Sequence, residues 1–272
     1  MGLAGKGCIL AAQAANHNAG LSRALCQNRT MEALHFESVG KSWHNSAALS
    51  GITFGVPQGA CFGLVGANGA GKTTLLKCLL DFCEPDEGNI TLFGVTHRDT
   101  AARTRVAYLP ERFNPPHYLT GRDFLQFMAR MHRAGYNETD AAQVLQSLDL
   151  ATAALDKPVR TYSKGMNQKL GLAACMLSGK DLYILDEPTS GLDPRARILL
   201  KRTLKALRDS GKTIFFTSHA LADVEEMCDR VAVIDDGKLC FAGTPAELMR
   251  SQGAGTMEAA FMALVAHDTC AA

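Results

Sequence analysis

Apolar and polar positions along this chain fall into two alternating rhythms. Short runs rich in β-branched and aromatic residues, ALHFESV (33–39), SGITFGV (50–56) and ACFGLVG (60–66), predict strands separated by turn residues, a small β layer feeding a central strand. The helical period then takes over in GKTTLLKCLLDF (71–82). A strand at NITLFG, a helical stretch near 98–105 and a strand RVAYLP follow. The middle of the chain is helical. Thr120 followed three residues later by Asp123 reads as a capping box for GRDFLQFMARMHRAG, and a second helix is predicted over about 139–148. Beyond residue 181 the alternation returns. Strand DLYILDEP precedes a helix with Asp193 as N-cap and Pro194 at its first position; strand KTIFFTSH, helix ALADVEEMCDR and a hairpin VAVIDDGKLCFAG turning at Asp236-Gly237 complete it. Strands alternating with helices predict an α/β fold whose mostly parallel sheet is covered on both faces, with a helical lobe inserted at about 112–178.

Composition narrows the function classes. With 272 residues, 47% of them apolar, the chain can bury a large core, and a formal net charge of +1 without long basic runs speaks against a nucleic-acid partner. Nine cysteines are scattered without a C-x-x-C pair, which reads as reduced, mostly buried thiols in a cytosolic protein. No run approaches the roughly 18–20 apolar residues of a membrane span. Residues 1–30, rich in Ala, Asn and Gly, read as a disordered leader, and Met31 is an alternative start; 266–272 read as a tail.

The stretch GLVGANGAGKTT (63–74) carries the chemistry. Gly66, Gly69 and Gly71 let the backbone around Ala67, Asn68 and Ala70 curl until its N–H groups face phosphate oxygens, while the N-terminus of the next helix adds partial positive charge. Lys72 reaches the β and γ phosphates, the Thr73 hydroxyl suits a bridging Mg²⁺, and Thr74 follows it. In LYILDEP a buried strand delivers two carboxylates at its C-terminal edge. Asp186 suits the Mg²⁺ shell and Glu187 suits a general base for an attacking water, a role worth about 10²–10⁴ in rate. Lys72 and Asp186 stand too far apart for adjacent strands joined by one helix, which is why a lobe must be inserted. Its last helix begins at Ser163 as N-cap with Gly165 behind it.

Taken together, these residues resemble the nucleotide-binding subunit of ABC transporters from about Glu32 to Val265. GANGAGKTT is similar to the family's Walker A, LYILDEP to Walker B with its catalytic glutamate, SGLD (190–193) to the D-loop, YSKGM (162–166) to the signature loop, and TSH presents His219 as the switch histidine. The resemblance implies a P-loop NTPase (RecA-like) core with a small antiparallel β subdomain and the inserted helical subdomain, ATP and Mg²⁺ as ligands, and a head-to-tail homodimer or pair of ATPase subunits. In such a pair Ser163 of one chain covers the γ-phosphate held by Gly66–Thr74 of the other, and His219 contacts that phosphate. It also implies that Trp43 stacks on adenine, the competing reading being core packing, and that a separate multi-span permease holds the chain on the cytoplasmic face of the membrane. Two motifs depart from the family: Glu111 stands where a glutamine is usual, and Lys164 and Met166 replace the usual signature residues. YSKGM, YLPE and the closing TMEAAFMALV resemble the subunits of ABC-2-type exporters. The segment RFNPPHYLTGRDF, with Phe113 and Tyr118, is expected to meet the permease. A soluble non-transport ABC ATPase and a P-loop kinase or transferase are the alternatives.

Overall fold

The computed structural model describes residues 31–44 and 46–266. The leader expected over 1–30 and all but Ala266 of the expected tail lie outside the described residues. The chain divides into two units, Met1–Met31 and Glu32–Ala272, and the elements below belong to the second.

Two sheets organise this unit. Strands β1 (Glu32–Trp43), β2 (Ser46–Pro57), β4 (Glu87–Leu92) and β5 (Val95–Thr96) form an antiparallel sheet in the order β2-β1-β4-β5. Strands β3 (Cys61–Val65), β6 (Val106–Leu109), β7 (Leu182–Asp186), β8 (Thr213–Ser218), β9 (Arg230–Asp235) and β10 (Lys238–Gly243) form the second, ordered β10-β9-β3-β8-β7-β6. All its pairings are parallel except β10 on β9. The fold is therefore α/β with a mostly parallel sheet and a smaller antiparallel one.

Strands buried on both faces need apolar residues at every position, because successive side chains point to opposite sides. In β7, Leu182 and Ile184 enter one core while Tyr183 and Leu185 enter the other, and in β8 Phe215 and Phe216 divide in the same way. The first core fills the space between the sheets. Phe36, Phe54, Phe62 and Phe215 meet there with ring centroids 4.7–6.4 Å apart, joining β1 and β2 to β3 and β8. Helix α1 (Lys72–Leu79), which follows β3, packs Leu75, Leu76, Cys78 and Leu79 into the same core.

The opposite face carries the helical lobe. After the short α2 (Thr100–Arg103) and β6 come α3 (Gly121–Met131), α4 (Glu138–Ser147), two 3₁₀ turns and α5 (Lys164–Leu177). The capping box at Thr120 and Asp123 is present, with Thr120 Oγ1 accepting from the Asp123 N–H. Asp193 caps α6 (Pro194–Asp209) through the Ala196 N–H at 2.8 Å. Helices α7 (Leu221–Met227), α8 (Pro245–Ser251) and α9 (Met257–Ala266) complete the chain.

Three local expectations change. The first two strands are longer than their apolar cores suggested, β1 running on to Trp43 and β2 from Ser46 to Pro57. The helix expected over ALADVEEMCDR stops at Met227, since Cys228 takes an extended conformation and Arg230 already belongs to β9. Free thiols occur at Cys61, Cys78, Cys83, Cys175 and Cys228, but Cys240 is disulfide-bonded, so the expectation of reduced cysteines fails there. Among the described residues no helix is long and apolar enough to cross a membrane.

Phe215 touches aromatic partners on three other strands, so its loss opens a cavity between the sheets. Phe215→Ala is expected to cost about 3–5 kcal/mol, read as a lowered midpoint in urea unfolding.

Candidate functional site

The parallel strands β6, β7, β8 and β3 end level with one another, Leu109 opposite Leu185, Asp186 opposite Thr217 and Val65 opposite Ser218. Whatever follows each strand is thereby delivered to one edge of the sheet, where open α/β sheets bind ligands. The phosphate loop follows β3, Asp186 and Glu187 close β7, His219 follows β8 and Glu111 follows β6. A cavity of about 270 Å³ at this edge is lined by Ala67, Asn68, Gly69, Gly71, Lys72, Thr73, Thr74, Glu111, Asp186, Glu187 and His219, with Ala48 from β2 beside them.

The loop's shape follows from two glycines. A side chain on Gly66 would put its Cβ 2.3 Å from the Ile234 carbonyl oxygen, so the chain can pass β9 only without one. Gly71 caps α1 with φ at +105° and has no side chain to occupy the first-turn N–H groups, which leaves them for an anion. The β9–β10 turn braces the loop from outside: Gly237 donates its N–H to Ala70 and accepts from the Ser50 N–H.

Charge in the cavity is costly. Lys72 is buried, and burial holds its ammonium below the usual lysine range, opposed by the negative charges of Glu187, Asp186 and Glu111. Its Nζ donates to the carbonyl oxygens of Gly66 at 2.6 Å and Ala67 at 3.1 Å. Burial also raises Asp186 above the ordinary carboxylate value, against the lowering effect of a 2.6 Å hydrogen bond donated by Thr217 Oγ1. The same hydroxyl accepts the Glu187 N–H at 2.9 Å. Glu187 holds φ at +49°, a strained region for a residue with a Cβ. Its Oε2 is 2.8 Å from His219 Nδ1 yet is buried without a properly aligned hydrogen bond.

These features fit the ligands that the motif predicts. The loop keeps its curl because Gly66 and Gly71 carry no Cβ, which would meet the Ile234 and Ala48 carbonyl oxygens at 2.3 and 2.7 Å, and an orphaned, buried carboxylate oxygen stands ready for a water. Among the described residues no three His, Cys, Asp or Glu side chains converge on a self-sufficient metal site. Thr73 and Asp186 alone suit Mg²⁺, which commonly takes one or two protein ligands and completes its shell with phosphates and water.

Comparison with known proteins decides the family. The ABC transporter family profile matches residues 49–190. This chain belongs to the ABC transporter ATP-binding family. An uncharacterized ABC transporter ATP-binding protein of Synechocystis sp. is 40% identical over 213 residues, 76% of this chain and 60% of the relative, so the chain spans less than two thirds of that protein's length. A Nod factor export ATP-binding protein I of Burkholderia thailandensis is 39% identical across 80% of this chain and 73% of its own. The solved ATP-binding subunit of an ABC transporter superposes with a TM-score of 0.79 at 28% identity, covering 86% of this chain and 99% of that one.

Within this ABC fold not every predicted site residue reaches the cavity. Trp43 is 44% exposed at the end of β1, with Lys41 Nζ 5.2 Å from its ring centroid. It is therefore not packed in the core, and it does not line the phosphate cavity. Ser163 caps α5 by accepting the Met166 N–H at 3.2 Å; it and Gly165 stand apart from the cavity of their own chain. Ala70 is buried beneath the loop. Phe113, expected at a partner surface, instead packs edge-on against Phe124 and touches Gly171, because the strand-to-helix connection must cover the lobe's core; Tyr118 is 84% exposed. Sequence reasoning missed Ala48 and Thr217. The only sign of Thr217 was a hydroxyl interrupting the apolar run KTIFF.

Asp186 provides a test of the site's electrostatics. A carboxyl whose folded value lies above its unfolded value adds stability only at low pH and loses it as pH rises through the folded value, so near neutrality the ionised group is a burden. Asp186→Asn is expected to raise the thermal midpoint of the nucleotide-free protein at pH 7 and to abolish the Mg²⁺-dependent part of nucleotide binding.

Proposed function

We propose that this chain is the ATP-hydrolysing subunit of an ABC exporter, working with a separate membrane permease. The observation that carries the reading is the meeting of Lys72, Asp186 and Glu187 at one end of the sheet, around a loop built for phosphate. Lys72 leaves the Gly66 and Ala67 carbonyl oxygens for the β and γ phosphates, and the first-turn N–H groups of α1 surround them. Thr73 and Asp186 would hold Mg²⁺, which would supply neutralising charge on the phosphates. Glu187 takes the proton of the attacking water through its orphaned Oε2, with His219 beside it to fix the carboxylate and meet the γ-phosphate. Glu111, among the residues lining the cavity, would add a negative charge beside the metal and the water.

One chain leaves the outer face of this cavity open. Ser163 and the free N–H groups of α5 would close it from a second chain placed head to tail, with Trp43 stacking on the adenine. Stacking of a base on an aromatic is worth about 1–3 kcal/mol in nucleic-acid complexes. ATP would then close the pair, and hydrolysis with product release would reopen it. Export as the direction of transport is supported by the exporter-like YSKGM and by the relative named for Nod factor export. The motion would pass to a permease on the cytoplasmic face of the membrane through the exposed strip of Tyr118, Phe127 and Met131 on and before α3.

Glu187→Gln tests the reading. The variant should hydrolyse ATP at least about 10²-fold more slowly and elute as a dimer on a sizing column with ATP and Mg²⁺. A variant that stays monomeric and keeps its activity contradicts it. For the permease contact, replacing Tyr118 and Phe127 together by alanine should lower transport in reconstituted vesicles while basal ATPase activity holds; unchanged transport removes this surface.

A further inference from the structure

Two thiols outside the phosphate cavity lie close enough to react. Cys78, on the last turn of α1, is completely buried in the core between the sheets; Cys83, on the turn that follows, is partly exposed, and the two sulfurs are 3.6 Å apart. The backbone already folds one toward the other, with the N–H groups of Phe82 and Cys83 both donating to the Lys77 carbonyl oxygen. A disulfide needs about 2.05 Å, so closure demands a movement of about 1.5 Å. Cys78 is fixed in a helix among close-packed side chains, and the movement must therefore fall on the turn.

We propose that Cys78 and Cys83 form an oxidisable dithiol, a modification site whose reagent is hydrogen peroxide. Cys83, the sulfur that solvent reaches, attacks a peroxide oxygen as its thiolate. The O–O bond breaks, the leaving oxygen departs as water, and Cys83 becomes a sulfenic acid. The Cys78 sulfur then displaces the sulfenic oxygen as a second water and the disulfide forms. Two thiols are oxidised by two electrons, one peroxide is reduced to two waters, and no other reactant is needed. Burial keeps Cys78 from solvent and pushes its thiol up to about 12, which leaves the first attack to Cys83; Cys78 gives up its proton to the departing sulfenic oxygen as the S–S bond forms.

The turn that must move leads within three residues to Asp86. Its carboxylate accepts from Lys41 Nζ at 2.6 Å and from the Ser42 N–H at 2.7 Å, and its own N–H donates to the Gly40 carbonyl oxygen at 2.9 Å. Asp86 thus holds the end of β1 that carries Trp43, whose ring Lys41 covers. Drawing Cys83 inward displaces Asp86 and with it the environment of Trp43. Should Trp43 stack on adenine as proposed above, oxidation would weaken nucleotide binding, a consequence that rests on that reading while the dithiol does not.

Trp43 is the only tryptophan, so the whole chain carries its own reporter. The protein is treated with hydrogen peroxide under native conditions, then unfolded in urea, alkylated and digested with trypsin. Cleavage after Lys77 and Arg98 gives one peptide holding both cysteines and no others. That peptide should lose the mass of two hydrogens and resist alkylation until dithiothreitol is added. Trp43 emission should shift on oxidation and return on reduction, and Cys83→Ala and Cys78→Ala should each abolish both changes. Cys78 and Cys83 remaining fully alkylatable, or pairing only with other cysteines, overturns the proposal. A disulfide that leaves Trp43 emission unmoved overturns the link through Asp86. Neither readout involves nucleotide, so both can fail while the ATPase reading stands, and both can succeed if it falls.

Discussion

A buried ammonium faces buried carboxylates at the end of a hydrophobic sheet, and holding Lys72, Asp186 and Glu187 together is the demand that shapes the rest of the molecule. Charges taken from water are tolerated only with partners, and these have few. Lys72 leans on two carbonyl oxygens of its own loop, Asp186 has the Thr217 hydroxyl, and Glu187 Oε2 has only an off-line histidine. Such an arrangement is under-satisfied by itself and complementary to a polyphosphate with its cation. The apolar strands, doubly buried, provide the rigidity that keeps it from relaxing.

The geometry also separates what one chain can do from what it cannot. The phosphate loop follows β3, and Asp186 and Glu187 close β7, two parallel strands with β8 between them, so one sheet fixes their spacing. Ser163 begins a helix of the inserted lobe and is spent, within its own chain, on capping the Met166 N–H. Its position outside the cavity is what a site completed by a second copy requires. Glu111 in the cavity lining and the exposed Tyr118 lie on one connection, between β6 and α3.

Much of this was legible in the sequence, because the signals were local. Gly66 to Thr74 between an apolar strand and a helical period, four apolar residues before Asp186-Glu187, and Asp193-Pro194 at a helix start each state their own backbone. What escaped depended on distant neighbours. Thr217 gains its meaning from a register pairing with Asp186, Ala48 from a hairpin folded over the loop, and Phe113 from a lobe core that no local period announces. Polar residues at the end of β1 hide how far that strand runs, to Trp43, and the contact of Cys78 with Cys83 arises only once α1 stops at Leu79.

The central claim is that nucleotide is hydrolysed at a site made from two chains, and complementation tests it most directly. Lys72→Ala and Ser163→Arg chains are each inactive alone on this account, but an equimolar mixture contains heterodimers with one intact site, formed by the unaltered cradle of one chain and the unaltered Ser163 of the other. ATPase activity should therefore reappear on mixing. A mixture as inactive as its parts, or a Ser163→Arg chain active alone, contradicts the account.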